Sequence, residues 1–325
     1  MKVDLHIHTN CSDGLYSPSE IIQRAAEEGV TILSFTDHNC FADDYSSLIE
    51  QAKKLNLYLI KGIEISSRFH NIELHILGYN LGQPCSALEE YLEYYQKEKT
   101  IQTQLRCQES LNDPLRLASG KQISLPFEEI QQRAPNNKKV YLWNEMIYLL
   151  AQKFNQDKRD QDPSMSFHQA KALLIGLPSA YEQFKEAIPS LKRGKTLWPV
   201  HHKIQYHSTE DIIHWIKESQ GLSSLAHPGE QAPGLKEDLI AELKRISPLD
   251  ALEVYSPKNK NIMFYRQIAQ KLGLLFSGGT DFHFADDYNR LGMVLNKRTP
   301  QPPTSNDCLI LTKEKITLLS KLQPF

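Results

Sequence analysis

The chain has 325 residues, 40% hydrophobic and 23% charged, with a formal net charge of −2, the balance of a globular protein and not of a purely electrostatic nucleic-acid binder. No apolar run approaches the roughly 18 residues that a membrane span requires, and the opening Met1-Lys2-Val3-Asp4-Leu5-His6 does not read as a signal peptide. The five cysteines (Cys11, Cys40, Cys85, Cys107 and Cys308) show no C-x-x-C pairing, which fits a reducing compartment, so a cytoplasmic location with no obligate protein partner is expected.

In chain order, Val3, Leu5 and Ile7 alternate with Asp4, His6 and His8, the period of a strand. Ser17-Pro18-Ser19-Glu20 then predicts a helix start: Ser17 caps, Pro18 takes the first helical position and Glu20 completes a capping box. Gly29 closes that helix. Strands are predicted over 32–36, 57–65 and 72–79, with a helix over 43–55 and a short polar turn before the fourth strand. From about 86 to 207 the pattern turns helical: 88–111 is long and amphipathic, and 141–154, 167–174 and 180–188 follow. Strand–helix alternation resumes near 208, with strands over 222–226, 251–255 and 274–277 and helices over 209–219, 235–246 and 261–272. About seven strands, each followed by helix or loop, predict an α/β fold with a parallel, barrel-like sheet. The expected domains are a discontinuous barrel (1–84 and 208–300), a mainly helical insertion (85–207) and a C-terminal extension (301–325).

Metal-capable side chains gather at the C-terminal ends of the predicted strands. They are His6, His8, His38, His75, His227 and His283, with Asp13, Glu64 and Asp281. Parallel α/β barrels present functional residues at that edge, so these groups can converge from distant positions. His6 and His8, two apart on one strand, point the same way, and Asp281 and His283 repeat the spacing. Each residue also has an ordinary reading. Glu64 could pair with Arg68, His75 could be a core histidine, and Asp37-His38 could be a turn. Together, however, nine ionisable groups crowded at one edge without cations would be strongly unfavourable. Cys11 and Cys40 lie close to these residues and read as small-residue packing.

Asp4-Leu5-His6-Ile7-His8-Thr9 with Ser12-Asp13-Gly14 resembles the opening signature of the PHP (polymerase and histidinol phosphatase) superfamily. Thr36-Asp37-His38, Gly62-Ile63-Glu64, His75-Ile76-Leu77-Gly78, Ala226-His227-Pro228 and Gly279-Thr280-Asp281-Phe282-His283 follow in that family's order. The arrangement looks most like the branch of nucleotide phosphatases and 5′-3′ exonucleases. The resemblance implies a distorted (β/α)7 barrel with the insertion between strands 4 and 5, and a trinuclear site. By analogy one cation would take His6, His8, Glu64 and Asp281. A second would take Glu64, His75 and His227, and a third Asp13, His38 and His283.

Imidazole and carboxylate ligands suit two or three Mn2+, Zn2+ or Fe2+ ions better than Mg2+. Glu64, His227 and Asp281 would serve metal activation of hydroxide for attack on phosphorus, and Asp4 and Asp37 could fix histidine tautomers. The expected substrate is a phosphomonoester of a small metabolite or nucleotide. Alternatives are a 5′-3′ exonuclease acting on a short oligonucleotide, hydrolysis of an amide or other ester, and a non-catalytic metal-stabilised binding module. An exonuclease would need a basic, aromatic-lined groove, to which Tyr141, Trp143, Tyr148 and Trp198 could contribute. The Arg-Pro-His stretch of that branch is absent from the insertion, which reads Asn137-Lys138-Lys139-Val140. A histidine often found after the sixth strand is replaced around Lys258-Asn259, and Phe284 stands where glycine is typical. Lys138, Lys139, Lys192, Arg193 and Lys258 are therefore candidate phosphate binders, each with a solvated surface charge as its other reading. His201-His202 could protonate a leaving group or form an exposed linker pair.

Overall fold

The computed structural model describes residues 2–134, 140–156, 165–230, 234–283 and 291–292. They form a mixed α/β fold around a seven-stranded sheet. Strand β1 (Lys2–Ile7) leads to helix α1 (Pro18–Glu27), where Ser17 and Glu20 form the expected capping box. Strand β2 (Val30–Phe35), helix α2 (Tyr45–Lys54), β3 (Tyr58–Phe69) and β4 (Ile72–Tyr79) follow. Helix α3 (Ser86–Asn112) leaves the sheet. The next elements are two short strands, β5 (Leu115–Arg116) and β6 (Gln122–Ile123), and helices α4 (Phe127–Arg133), α5 (Trp143–Asn155), α6 (Phe167–Leu174) and α7 (Pro178–Phe184). The chain returns through α8 (Thr209–Glu218), β7 (Leu222–Leu225), α9 (Glu237–Ile246), β8 (Ala251–Tyr255), α10 (Ile262–Lys271) and β9 (Leu275–Gly278).

The sheet order is β1-β2-β3-β4-β7-β8-β9. Pairs β1–β2, β2–β3, β7–β8 and β8–β9 are parallel, but β4 is antiparallel to both β3 and β7. This corrects the expectation of an all-parallel sheet. The reason is local. Phe69 pairs with Ile72 across a two-residue turn at His70-Asn71, and His70 has φ +50°. A two-residue connection can only make an antiparallel hairpin, because a parallel return needs a crossover of a dozen or more residues. Strand β3 consequently runs on to Phe69, beyond its predicted end at 65.

Strand β1 is buried from Val3 to Ile7, polar residues included. Val3, Leu5, Ile32, Ile60, Leu77, Tyr79, Ala226 and Ala251 form one apolar cluster of the sheet. The end of β1 also bonds to the segment after β9: His8 N donates to Phe282 O at 2.8 Å, and Phe282 N donates to His6 O at 3.3 Å.

The chain divides into two compact units, Met1–Tyr94 with Gln205–Phe325, and Tyr95–Ile204. The second unit has its own core, including Ile123, Ile130, Leu150, Phe154, Phe184 and Trp198. It contains the β5–β6 hairpin, which alternation did not reveal because each strand is only two residues long. Among the described residues, no helix is long and apolar enough to cross a membrane.

Candidate metal centre

Each element delivers its polar residues to one place by simple register. His6 and His8 project from the same side of β1. Glu64 lies in mid-β3, and the antiparallel register pairs Ser66 with His75, so His75 sits diagonally across from Glu64. His38 follows β2 and bridges to Glu64 through the backbone; Asn39 N donates to Glu64 O at 2.8 Å. Asn39 has φ +51°, and its side chain joins Ser66 through two bonds of 3.1 Å. His227 follows β7 and Asp281 follows β9; both hold left-handed backbone, φ +24° and +53°. Such strain persists where surrounding structure over-determines it, often at functional sites.

All nine residues singled out from the sequence meet in one cluster. The Glu64 carboxylate is its hub. Oε1 lies 2.9 Å from His227 Nε2, 3.0 Å from His75 Nδ1 and 3.4 Å from His6 Nε2. Oε2 lies 3.1 Å from His38 Nδ1 and 3.2 Å from His8 Nε2. Asp281 Oδ1 approaches His8 Nε2 at 3.1 Å and His6 Nε2 at 3.4 Å. Asp13 reaches His283 at 3.3 Å, His8 at 3.4 Å and His38 at 3.7 Å. Four overlapping sets place their donor atoms within 4.8 Å of one another: His8, Asp13, His38 and His283; His6, Glu64 and His227; His6, His8 and Asp281; His38, Glu64 and His75.

Buried His6 Nε2, both ring nitrogens of His8, His38 Nδ1 and Glu64 Oε2 make no hydrogen bond. Buried polar atoms are nearly always bonded, so donors left facing one another at these distances fit divalent cations among them. The electrostatics agree. Burial opposes charge on His6, but the carboxylates of Glu253, Glu64 and Asp281 outweigh it and hold its pKa well above the ordinary value. His8 is raised to about 10 and His75 to about 9 by carboxylates that overcome burial. Burial drives His38 down to about 3. Burial pushes Asp13, Glu64 and Asp281 upward, yet neighbouring cationic groups hold all three well below the usual carboxylate range.

The two acidic residues expected to fix histidine tautomers do other work. Asp37 accepts from Thr9 N and Oγ1 at 2.8 Å and from Ser12 N and Oγ at 3.2 and 2.6 Å, so it shapes the loop after β1. Asp4 accepts from Thr280 N, Thr280 Oγ1 and Gly292 N at 2.9, 2.7 and 2.8 Å, which ties β1 to the segment after β9. Burial raises its pKa to about 6 against those bonds. The histidine partner is instead Glu253 on β8, fully buried. Its Oε1 lies 3.0 Å from His6 Nδ1, and its Oε2 accepts the His227 N–H at 2.6 Å. The available signal was a lone glutamate inside the apolar run Ala251-Leu252-Glu253-Val254-Tyr255.

Lys258 is the candidate phosphate binder that reaches the cluster. Its ammonium contacts Asp281 and lies 2.9 Å from Glu230 Oε1, whose Oε2 lies 2.9 Å from His227 Nδ1. Asn259 sets this loop by donating to Glu253 O and Val254 O and accepting from Gly229 N at 2.8 Å. Gly229 must be glycine for that approach, because a Cβ would fall 2.7 Å from Asn259 Oδ1. Burial works against charge on Lys258, but Asp281, Glu230 and Glu64 hold it firmly protonated. Lys138, Lys139 and Phe284 lie outside the described residues. Arg193 Nε is 3.5 Å from Glu182 in the second unit, and His202 lies 2.8 Å from Glu98. Cys11 and Cys40 are buried, and Cys40 Sγ donates to Cys11 O at 3.7 Å.

A family model described as the PHP domain matches residues 4–111. The 5′-3′ exoribonuclease Rnm of Escherichia coli (strain K12) is 32% identical over 300 residues, 90% of this chain and 88% of that protein. The 3′,5′-nucleoside bisphosphate phosphatase of Chromobacterium violaceum is 25% identical over 286 residues, 87% of each chain. A 79-residue stretch is 40% identical to the 5′-3′ exoribonuclease of Haemophilus influenzae, but it spans 24% of this chain and only 28% of that relative. A solved structure from Bifidobacterium adolescentis, described as a metal-dependent phosphoesterase, has the same fold. Its TM-score is 0.67 over 89% of this chain and 90% of that one, at 18% identity.

Proposed function

We propose, because this chain belongs to the PHP domain family, that it is a metal-dependent phosphoesterase whose cations are held by the Glu64-centred cluster. The carrying observation is that carboxylate, within 3.4 Å of five imidazoles. His6, His8, Glu64 and Asp281 would hold one cation, Glu64, His75 and His227 a second, and Asp13, His38 and His283 a third. Mn2+, Zn2+ and Fe2+ match this donor chemistry. When bound, they supply the Lewis acidity that activates water and neutralises phosphoryl oxygens.

The chain's own groups supply the rest. Glu253 holds a proton on His6 Nδ1 and so turns the Nε2 lone pair toward the cluster. Asp37 fixes Ser12, next to Asp13. The Lys258 ammonium, steadied by Glu230, is placed to bind a phosphoryl oxygen as a point charge. Arg193, Lys138 and Lys139 remain proposed phosphate contacts of the insertion.

The first reading of the substrate is a phosphomonoester of a small metabolite or nucleotide, which the name of the C. violaceum relative supports. The second is 5′-3′ exonuclease action on short oligonucleotides, which the name of the E. coli relative supports. We read the seven strands as a distorted (β/α)7 barrel closed between β1 and the segment after β9, supported by the Ile7–Phe282 bridge. We read the second unit as a helical insertion, and 301–325 as a C-terminal extension outside the described residues. Five scattered cysteines without C-x-x-C spacing support a reducing, cytoplasmic setting.

Purified protein loaded with Mn2+ tests this function through phosphate release from a generic aryl phosphate. Turnover that chelator and His6→Ala both abolish is the expected result. Folded, metal-loaded protein without turnover would instead favour the non-catalytic binding module. Relative rates on mononucleotides and short RNA separate the two substrate readings.

A further inference from the structure

Two of the aromatic side chains that could line a strand-binding groove make contacts elsewhere. Trp198 is buried in the core of the second unit and donates through Nε1 to Asp113 O at 2.8 Å. Tyr141 packs edge-on against Phe127, with ring centroids 5.1 Å apart. Tyr148 is half-buried, and the Trp143 side chain lies outside what the structure describes.

A different aromatic face lies open on the first unit. Phe264, in the first turn of α10, is 38% exposed beside Met263 at 56%. Phe264 lines a cavity of about 260 Å³ together with Lys236, Lys260, Leu235 and Tyr265. Both lysines are exposed, and among the described residues neither ammonium pairs with a carboxylate. The cavity therefore combines an exposed aromatic ring with two ammoniums that, among the described residues, have no carboxylate partner.

It also shares a wall residue with a cavity at the metal-capable cluster. A second cavity, of about 200 Å³, is lined by His75, His227, Glu230 and, again, Leu235. The described ends of the loop between β7 and α9 are pinned. Leu235 N and Tyr265 Oη both donate to Pro228 O, at 2.9 and 3.1 Å, and Gly229 N donates to Asn259 Oδ1 at 2.8 Å. These bonds hold Pro228, Gly229 and Leu235 in place, and Leu235 is common to both cavities.

We propose that the cavity walled by Lys236, Lys260 and Phe264 is a subsite for the nucleotide adjoining the phosphate processed at the His75–His227 side of the cluster. The proposal rests on the phosphoesterase reading above and narrows its substrate to short single strands. The base stacks on Phe264 while the two ammoniums meet the backbone phosphate, the pairing of interactions by which single strands are held. An isolated mononucleotide would fill only the cavity at the cluster.

The test uses the full chain and a fluorescein-labelled, 5′-phosphorylated trinucleotide, with EDTA present so that nothing is cleaved. Fluorescence anisotropy gives the Kd, and circular dichroism checks the fold of each variant. Phe264→Ala and the double variant Lys236→Ala/Lys260→Ala should each raise the Kd about tenfold, and Phe264→Trp should restore tight binding. The double variant should also flatten the dependence of affinity on salt. A Kd unmoved by Phe264→Ala and by the lysine changes overturns the subsite. Aryl phosphate turnover by the Mn2+-loaded wild type is measured in parallel. Its failure sinks the phosphoesterase reading but leaves the anisotropy result to decide the subsite.

Discussion

Glu253 Oε1 lies 3.0 Å from His6 Nδ1, joining β8 to β1 across 247 positions of the chain, while Oε2 accepts the His227 N–H at 2.6 Å. One buried carboxylate therefore orients a cluster imidazole and the backbone of a second cluster residue. With Nδ1–H bonded to Glu253, Nε2, which faces Glu64 and Asp281, is the ring nitrogen that would lose its proton to an incoming cation. A carboxylate behind a histidine in this way typically accounts for a 10- to 100-fold effect on metal affinity.

Glu253→Gln keeps the shape but removes the charge that favours this tautomer. Its metal content after dialysis against a competing chelator should fall, with affinity lower by about 10- to 100-fold. Mass-spectrometric metal analysis checks this. Wild-type occupancy in the variant would show that Glu253 does not tune the cluster.

Lys258→Ala should lower kcat/KM on an aryl phosphate by about 10- to 100-fold. Metal content should hold or rise, because the ammonium no longer competes for Asp281. Lys258→Arg should recover part of the loss. An equal drop in bound metal would instead make Lys258 a structural group.

Metal uptake should depend on pH. In the metal-free fold the pKa of His8 is raised to about 10 and that of His75 to about 9. Near neutral pH a cation must therefore displace their protons. Apparent affinity should climb with pH through the neutral range and level off above those values, about tenfold per pH unit for each proton displaced. Calorimetric titrations in buffers of different ionisation enthalpy count the protons released.

The stability of the chelated protein carries the matching sign. Raised pKa values at His8 and His75 contribute stability that is complete below 6.5 and lost as pH rises through about 9 and 10. Depressed values at Asp13, Glu64 and Asp281 contribute stability present above the ordinary 3.8 to 4.5 and lost as pH falls below it. Thermal melts in EDTA should peak between those limits. A melting temperature that kept rising beyond pH 10 would contradict the charged-pair picture.

Asp4→Ala removes the acceptor for Thr280 N, Thr280 Oγ1 and Gly292 N. The loss should be about 3 kcal/mol, since buried donors are left without partners. Urea denaturation measures it. Gly279→Ala should act on the same junction, because its Cβ would fall 2.3 Å from His6 N.

The residues of the cluster were legible because strand alternation and i, i+2 spacing are written locally, and each lies in or soon after a run that reads as a strand. Capping at Ser17 and Glu20 was legible for the same reason. The direction of β4 was within reach of the sequence, since two turn residues at His70-Asn71 admit only a hairpin. The rest depended on long-range placement. Glu253 is one glutamate in an apolar strand, and nothing within ten residues says that its two oxygens meet His6 and His227. Asp4 and Asp37 looked like histidine partners from their neighbours in sequence, yet the fold commits them to loop N–H and O–H groups. Lys258 was one of several equivalent-looking cations until the loop fixed by Asn259 turned it toward Asp281. By itself the sequence determined which donors exist and with which strands they belong, because periodicity is a property of neighbours. Only the tertiary structure decided which atoms those donors face, because burial and register bring together groups that the chain keeps up to 288 positions apart.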